Sequence, residues 1–148
     1  MTTIRPATAA DAPRIVAIAN AAYAKYVPRL GKPPGPMLAD YPAEIAAGHT
    51  VVIGNGAGID GYMVGEPEAD AWVIHILGVD PACQGQGLGR RLIAHAEAEA
   101  RRLGLPALRL YTNIVMTENV PLYRHLGFVE THRAFEEGFH RIYMRREL

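Results

Sequence analysis

Residues 82–91 read ACQGQGLGRR, with Gly85, Gly87 and Gly89 alternating with Gln86 and Leu88 ahead of Arg90 and Arg91. The flanks give this stretch its meaning. Upstream, Trp72 to Val79 (WVIHILGV) is a largely apolar run between turn signals, the pattern of a strand buried on both faces. Downstream, Leu88, Leu92, Ile93, Ala96, Ala100 and Leu103 recur at helical spacing, and Gly104 closes the run. The glycines therefore stand where a strand ends and a helix begins. A helix start has unpaired N–H groups and about half a positive charge from the macrodipole. Glycines without Cβ atoms let those N–H groups approach an anion, and a diphosphate is a good match. Arg90 and Arg91 stand at the rim for charge-assisted contacts.

Several loops hold phosphate, and their spacings differ. A Walker loop ends in Gly-Lys-Ser/Thr, but Gly89 is followed by Arg90-Arg91, so that reading fails. A dinucleotide fingerprint needs a glycine where Arg90 stands and an acidic residue about 20 positions on, where Leu108-Arg109-Leu110 lies.

The remainder of the chain supplies the scaffold. Ile4 to Ala7 reads as a strand, and a helix with Pro13 in its first turn runs to about Tyr26. YVPRLGKPPGPM (26–37) reads as a stiff loop, unsuited to regular helix or a central strand. Leu38 to Ala47 is a second short helix. Thr50 to Ile53 and Ile59 to Val64 form a hairpin around Asn55-Gly56-Ala57-Gly58, and Gly65 to Ala71 is a polar turn. After the long helix come a strand at 108–112, a short helix from Pro121 to about Leu126, and a last hairpin, 128–135 with 140–145. The order is strand, two helices, three strands, helix, strand, helix, two strands: an α/β sheet with helices on its faces and no internal domain boundary.

Gln84-Gly85-Gln86-Gly87-Leu88-Gly89 resembles the Q/R-x-x-G-x-G/A motif of the GCN5-related N-acetyltransferase (GNAT) family. Gly78-Val79-Asp80-Pro81 is similar to the strand end leading into that motif. Leu122-Tyr123-Arg124-His125-Leu126-Gly127-Phe128 resembles the family's L-Y-x-x-x-G-F segment, at the family's usual separation. The resemblance implies a single domain over 1–148, with a mixed, mostly antiparallel sheet of six to seven strands and about four helices. It implies acetyl-CoA as cosubstrate and no metal. The diphosphate is expected on the backbone of Gln84, Gly85, Gln86, Gly87, Leu88, Gly89 and Arg90. The pantetheine arm is expected along Leu77, Gly78 and Val79, where the strands at 72–79 and 108–112 splay apart. The Val79 N–H would then polarise the acetyl carbonyl.

Tyr123 stands at the position of the family's proton donor to the leaving thiolate. A phenol, with an ordinary pKa of about 10, keeps its proton at neutral pH. For the base, His75 has two readings, a proton acceptor or a histidine hydrogen-bonded within the sheet. Glu66 and Glu68 read as solvated turn residues. Where relatives carry an asparagine seven residues before the tyrosine, this chain has Met116; Asn113 or Asn119 can supply that contact, and Asn119 can equally cap the helix. Cys83 reads as a small filler, and Trp72 and His95 carry no specific signal.

The acceptor is expected over the first two helices, among Tyr23, Tyr26, Arg29, Lys32, Met37, Asp40 and Tyr41. Arg29 or Lys32 would meet a carboxylate there. The expected acceptor is a primary amine of a small or amino-acid-like molecule. A peptide N-acetyltransferase, a non-catalytic acyl-CoA sensor of the same fold and a nicotinamide enzyme are the alternatives. Fifteen Lys and Arg balance fifteen Asp and Glu, so no global field draws the chain to nucleic acid or an anionic membrane. One cysteine, no secretory pattern and no long apolar run lead to the expectation of a cytoplasmic protein, with the last hairpin a plausible homodimer edge.

Overall fold

The computed structural model describes residues 1–148. Seven strands form one mixed sheet in the order β1-β2-β3-β4-β5-β7-β6. They are β1 (Thr2–Pro6), β2 (Thr50–Asn55), β3 (Gly58–Glu68), β4 (Ala71–Val79), β5 (Ala107–Asn113), β6 (Val129–Glu136) and β7 (Phe139–Glu147). The helices are α1 (Ala12–Tyr23), α2 (Val27–Leu30), α3 (Tyr41–Ala46), α4 (Leu88–Arg102) and α5 (Asn119–His125). β4 and β5 pair in parallel; β1–β2, β2–β3, β5–β7 and β6–β7 pair antiparallel. This is the mixed sheet expected from the element order. No helix is long and apolar enough to cross a membrane.

Several expected boundaries move: α1 ends at Tyr23 rather than about Tyr26, and α3 starts at Tyr41 rather than Leu38. The stretch 65–71 is not one polar turn: β3 runs on to Glu68, and only Ala69-Asp70 turns, with Ala69 at φ 51°. Gly65 stays in extended pairing, its N–H bonded to the His49 carbonyl at 2.9 Å. The proline-rich stretch contains a single α-turn, α2, because Pro28 falls in the first turn, where its missing N–H costs nothing. Gly31, at φ 76°, ends it.

The chain divides into two compact units. The first comprises Met1–Gly65 and Ile76–His95. Its core joins Ile15, Ile18 and Ala19 of α1 to Tyr41 of α3 and Val52, Tyr62 and Val64 of the sheet. Each fully buried isoleucine there is worth about 1.5–3 kcal/mol. The polar seam in this core is a tyrosine pair. The Tyr41 hydroxyl donates to the Pro36 carbonyl at 2.5 Å, so the proton between the two phenols, 2.7 Å apart, comes from Tyr62. Burial pushes the Tyr41 phenol up to about 12, and burial, followed by the nearby Tyr23, pushes Tyr62 further in the same direction. The second unit, Glu66–His75 and Ala96–Leu148, buries Trp72, Ile74, Leu108, Phe128 and Met144.

Tyr62 also explains Gly78. A Cβ at residue 78 would lie 2.6 Å from the Tyr62 ring, a ring fixed by its hydroxyl and fully buried. Gly78→Ala is therefore expected to destabilise the fold by about 1–3 kcal/mol, as overpacking does, read from urea unfolding midpoints. An unchanged midpoint would show that the ring yields freely.

Candidate active site

In the first unit the site is built around the end of β4. The parallel register with β5 covers Ala71 to Ile74, opposite Ala107 to Leu110. No register pair follows, although β4 continues to Val79, so the pairing ends five residues before Val79 rather than beside it. Other contacts hold the segment 76–79. The Tyr23 hydroxyl donates to the Leu77 carbonyl at 2.7 Å, across 54 residues of sequence. The Asp80 N–H donates to the Asp60 carbonyl at 2.8 Å, and the Gln84 amide reaches back to the Val79 carbonyl at 3.3 Å.

Asp80 then turns the chain. One carboxylate oxygen accepts from the Ala82 N–H at 2.9 Å; the other takes the Arg14 guanidinium at 2.6 Å. Arg14, then that N–H, hold the Asp80 carboxyl below its ordinary range. Gly85 and Gly87 follow at φ 85° and 77°, the left-handed region where a side chain is strained. A Cβ on either would meet nothing within 4 Å, so backbone conformation, not crowding, calls for glycine here. Residues 84–87 are exposed. The first bond entering α4 runs from the Arg91 N–H to the Gly87 carbonyl at 3.1 Å. The N–H groups of Leu88, Gly89 and Arg90 precede that bond and are the open donors of the helix start. Both rim arginines are exposed, and Arg91 donates to the Thr2 carbonyl at 2.9 Å. The Cys83 thiol is pushed up by desolvation and by Asp60, the opposite of an activated nucleophile.

The region expected to receive the acceptor is more structural than the sequence suggests. Tyr26 and Tyr41 are buried, and the Asp40 carboxylate caps α3 by accepting from the Ala43 N–H. Lys25 and Arg29 sit over the Tyr26 ring at 5.1 and 5.2 Å. Lys32 is exposed and Met37 half-buried.

In the second unit Tyr123 is half-buried on α5, its ring edge-on to Phe128 at 6.0 Å. Gly127, at φ 95°, turns the chain so that the Phe128 N–H returns to the Tyr123 carbonyl at 3.0 Å. This local closure explains why glycine and phenylalanine follow the tyrosine at that spacing. The asparagines nearby are engaged. Asn113 accepts from the Val115 N–H at 3.1 Å, closing a turn. The Asn119 amide donates to the Thr112 hydroxyl at 3.1 Å and approaches the Met116 sulfur at 3.7 Å. Asn119 is the first residue of α5, which Glu118 precedes as the cap, so its side chain ties α5 to β5 instead of capping.

His75 is also in the second unit, and Glu68 with it. Because β3 extends to Glu68, that carboxylate meets the His75 Nε2 at 2.9 Å; it is not a solvated turn residue. The His75 ring lies edge-on to Tyr111 at 6.1 Å. Both border a cavity of about 220 Å³, together with Val73, Arg109, Leu110, Arg141 and Tyr143. Burial is the main cause that raises the Tyr111 and Tyr143 phenols.

Residues 46–130, more than half of the chain, match the acetyltransferase (GNAT) domain family. The chain belongs to the GNAT family. A mycothiol acetyltransferase of Cellulomonas flavigena is 42% identical over 67 residues, which are 45% of this chain and 19% of that protein. The matched stretch thus spans about a fifth of that curated relative's length. Among solved structures, the PaiA N-acetyltransferase of Thermoplasma acidophilum in complex with coenzyme A has a TM-score of 0.81 at 14% identity, covering 100% of this chain and 99% of its own. The ribosomal-protein-S18-alanine N-acetyltransferase of Escherichia coli has a TM-score of 0.74 at 21% identity, covering 99% and 94%. At these identities the likeness shows the GNAT fold.

Within that GNAT frame, the first unit brings together Leu77, Gly78, Val79 and the loop Gln84–Arg90, and in the second the Asn113 side chain closes a turn onto Val115 while Asn119 reaches Thr112 and Met116. Sequence reasoning missed Tyr23 as the anchor of Leu77, Glu68 as the partner of His75, and the cavity cations Arg109 and Arg141. A tyrosine hydroxyl bonded across 54 residues leaves no local pattern. The Glu68–His75 pair was hidden by turn-like residues, Gly65 and Pro67, inside β3.

Proposed function

We propose that the chain is a single N-acetyltransferase domain that moves the acetyl group of acetyl-CoA directly to a primary amine of a small molecule. The observation that carries this reading is the left-handed Gly85 and Gly87 turn opening onto the free first-turn N–H groups of α4. That arrangement is a diphosphate cradle made of backbone. The relatives and structural neighbours carry names with different acceptors and agree on acetyl transfer, which supports the general activity.

On this reading the loop amides from Gln84 to Arg90 bind the diphosphate. The segment Leu77–Val79 takes the pantetheine arm, with the Tyr23 hydroxyl already holding the Leu77 carbonyl. The Val79 N–H stabilises the oxyanion. The neutral amine attacks the thioester carbonyl carbon: a C–N bond forms and the C–S bond breaks. The proton lost by the amine leaves through His75, whose Nε2 is backed by the Glu68 carboxylate. The departing thiolate takes a proton from Tyr123, and solvent reprotonates that phenolate. The products are an acetamide and CoA. Asn113 and Asn119 act by fixing the start of α5 rather than by direct contact, since their side chains are engaged within the chain.

Titration calorimetry with CoA and with NADH tests the donor: saturable heat with CoA and none with NADH is expected, and the reverse overturns the reading. For the chemistry, Tyr123→Phe is expected to lower kcat by about 10- to 1,000-fold, in the range of a lost general acid, while the Kd for CoA is kept. Unaltered turnover in that variant would remove Tyr123 from the mechanism.

A further inference from the structure

The cavity of the second unit holds a cation that the fold does not neutralise. Arg109 and Arg145 stand directly opposite each other across β5 and β7, an arrangement that is unfavourable by itself. Arg145 is compensated twice, by Asp70 at 3.0 Å and Glu147 at 2.6 Å. Arg141, at the rim, lies 3.4 Å from Glu137 and stacks over the Tyr111 ring at 4.7 Å. Arg109 is half-buried and has no hydrogen bond or ion pair; its charge is felt at Asp70, which Arg145 already holds. A guanidinium with five donors, partly withdrawn from water and facing a cavity, is arranged for an anion from outside.

The opposite charge stands across the cavity floor. Val73 is the register partner of Arg109, and His75 lies two residues further along β4 on the same face. Strand spacing and rise put the Arg109 and His75 backbones about 8 Å apart on the diagonal. His75 carries Glu68 on its Nε2. The cavity therefore offers a fork of donors at one end and a carboxylate–imidazole pair at the other. Its volume, about 220 Å³, is below the roughly 300–1,000 Å³ of sites for drug-sized ligands.

We propose that this cavity binds the acceptor, and that the acceptor is a short aminocarboxylate of free-amino-acid type. Arg109 holds its carboxylate through paired N–H donors, and the Glu68–His75 pair receives its amine. Arg109 is thus a specificity residue, and a peptide, whose first residue has no free carboxylate, is a poor fit. The assignment rests on the acetyl-transfer reading and adds the class of acceptor to it.

The test supplies the protein with acetyl-CoA and a panel of free amino acids, each paired with its own carboxamide, and measures CoA release. Wild type is expected to prefer the best acid over its amide by about 10-fold or more in kcat/KM, the effect of a charged hydrogen-bonded pair. Arg109→Gln is expected to erase that ratio by raising KM, with the Kd for acetyl-CoA unchanged, and Arg109→Lys to restore part of it. Calorimetry of the same amino acid without acetyl-CoA provides a second readout, with saturable binding lost in Arg109→Gln. Equal use of acid and amide by wild type, or a ratio that survives Arg109→Gln, overturns the inference and leaves acetyl transfer standing. Amino-acid binding that depends on Arg109 without CoA release from any amine supports the cavity and overturns the transfer reading. Absence of both overturns both.

Discussion

The parallel pairing of β4 with β5 stops at Ile74 and Leu110, although β4 itself runs on to Val79. A strand that leaves its partner exposes N–H and C=O groups, which must be satisfied elsewhere or remain open to a ligand. On the first unit, Tyr23 takes the Leu77 carbonyl, Gln84 takes the Val79 carbonyl and Asp60 takes the Asp80 N–H. Gly78 packs against the buried Tyr62 ring, where a Cβ would lie 2.6 Å away. The segment 76–79 is thus held in place without a β5 neighbour in register, the arrangement the proposed pantetheine site needs. On the second unit, one residue past the last register pair, His75 and Tyr111 form a ring pair beside the cavity.

Charge in this chain is arranged locally. With as many acids as bases, the molecule has no net field to gather anions. On the proposed reading, anion binding falls to a helix start with open N–H groups on one unit and to the Arg109 guanidinium on the other. These are different devices. Backbone N–H groups around left-handed glycines suit a diphosphate, which spreads its charge over many oxygens. A single planar guanidinium suits a carboxylate, which it meets with two parallel hydrogen bonds.

The sequence is most legible where chemistry is encoded at short range. The glycine loop, the Tyr123 segment and the long helix are written in spacings of one to five residues, and the structure places strand, turn and helix accordingly. Boundaries fail where one residue type serves two purposes. Gly65 and Pro67 look like turn signals, yet both lie inside β3, where Gly65 is paired to His49. Pro28 looks like a breaker, yet it opens a helical turn. The surroundings of the residues expected at the acceptor were least legible. Tyr41 and Tyr26 are buried, Asp40 is a cap, and the cations that line a cavity, Arg109 and Arg141, come from β5 and β7. In sequence Arg109 is the one charged residue of its strand; only the fold shows that it stands opposite Arg145 and borders a cavity.

The central claim is that backbone N–H groups at the start of α4 hold the diphosphate of coenzyme A. Backbone amide chemical shifts in an NMR titration test it most directly, with CoA in one series and pantetheine, which lacks the diphosphate, in the other. The account predicts that the amides of Leu88, Gly89 and Arg90 shift strongly and saturably with CoA and stay in place with pantetheine. Equal shifts with both ligands, or shifts confined to other parts of the chain, would contradict it.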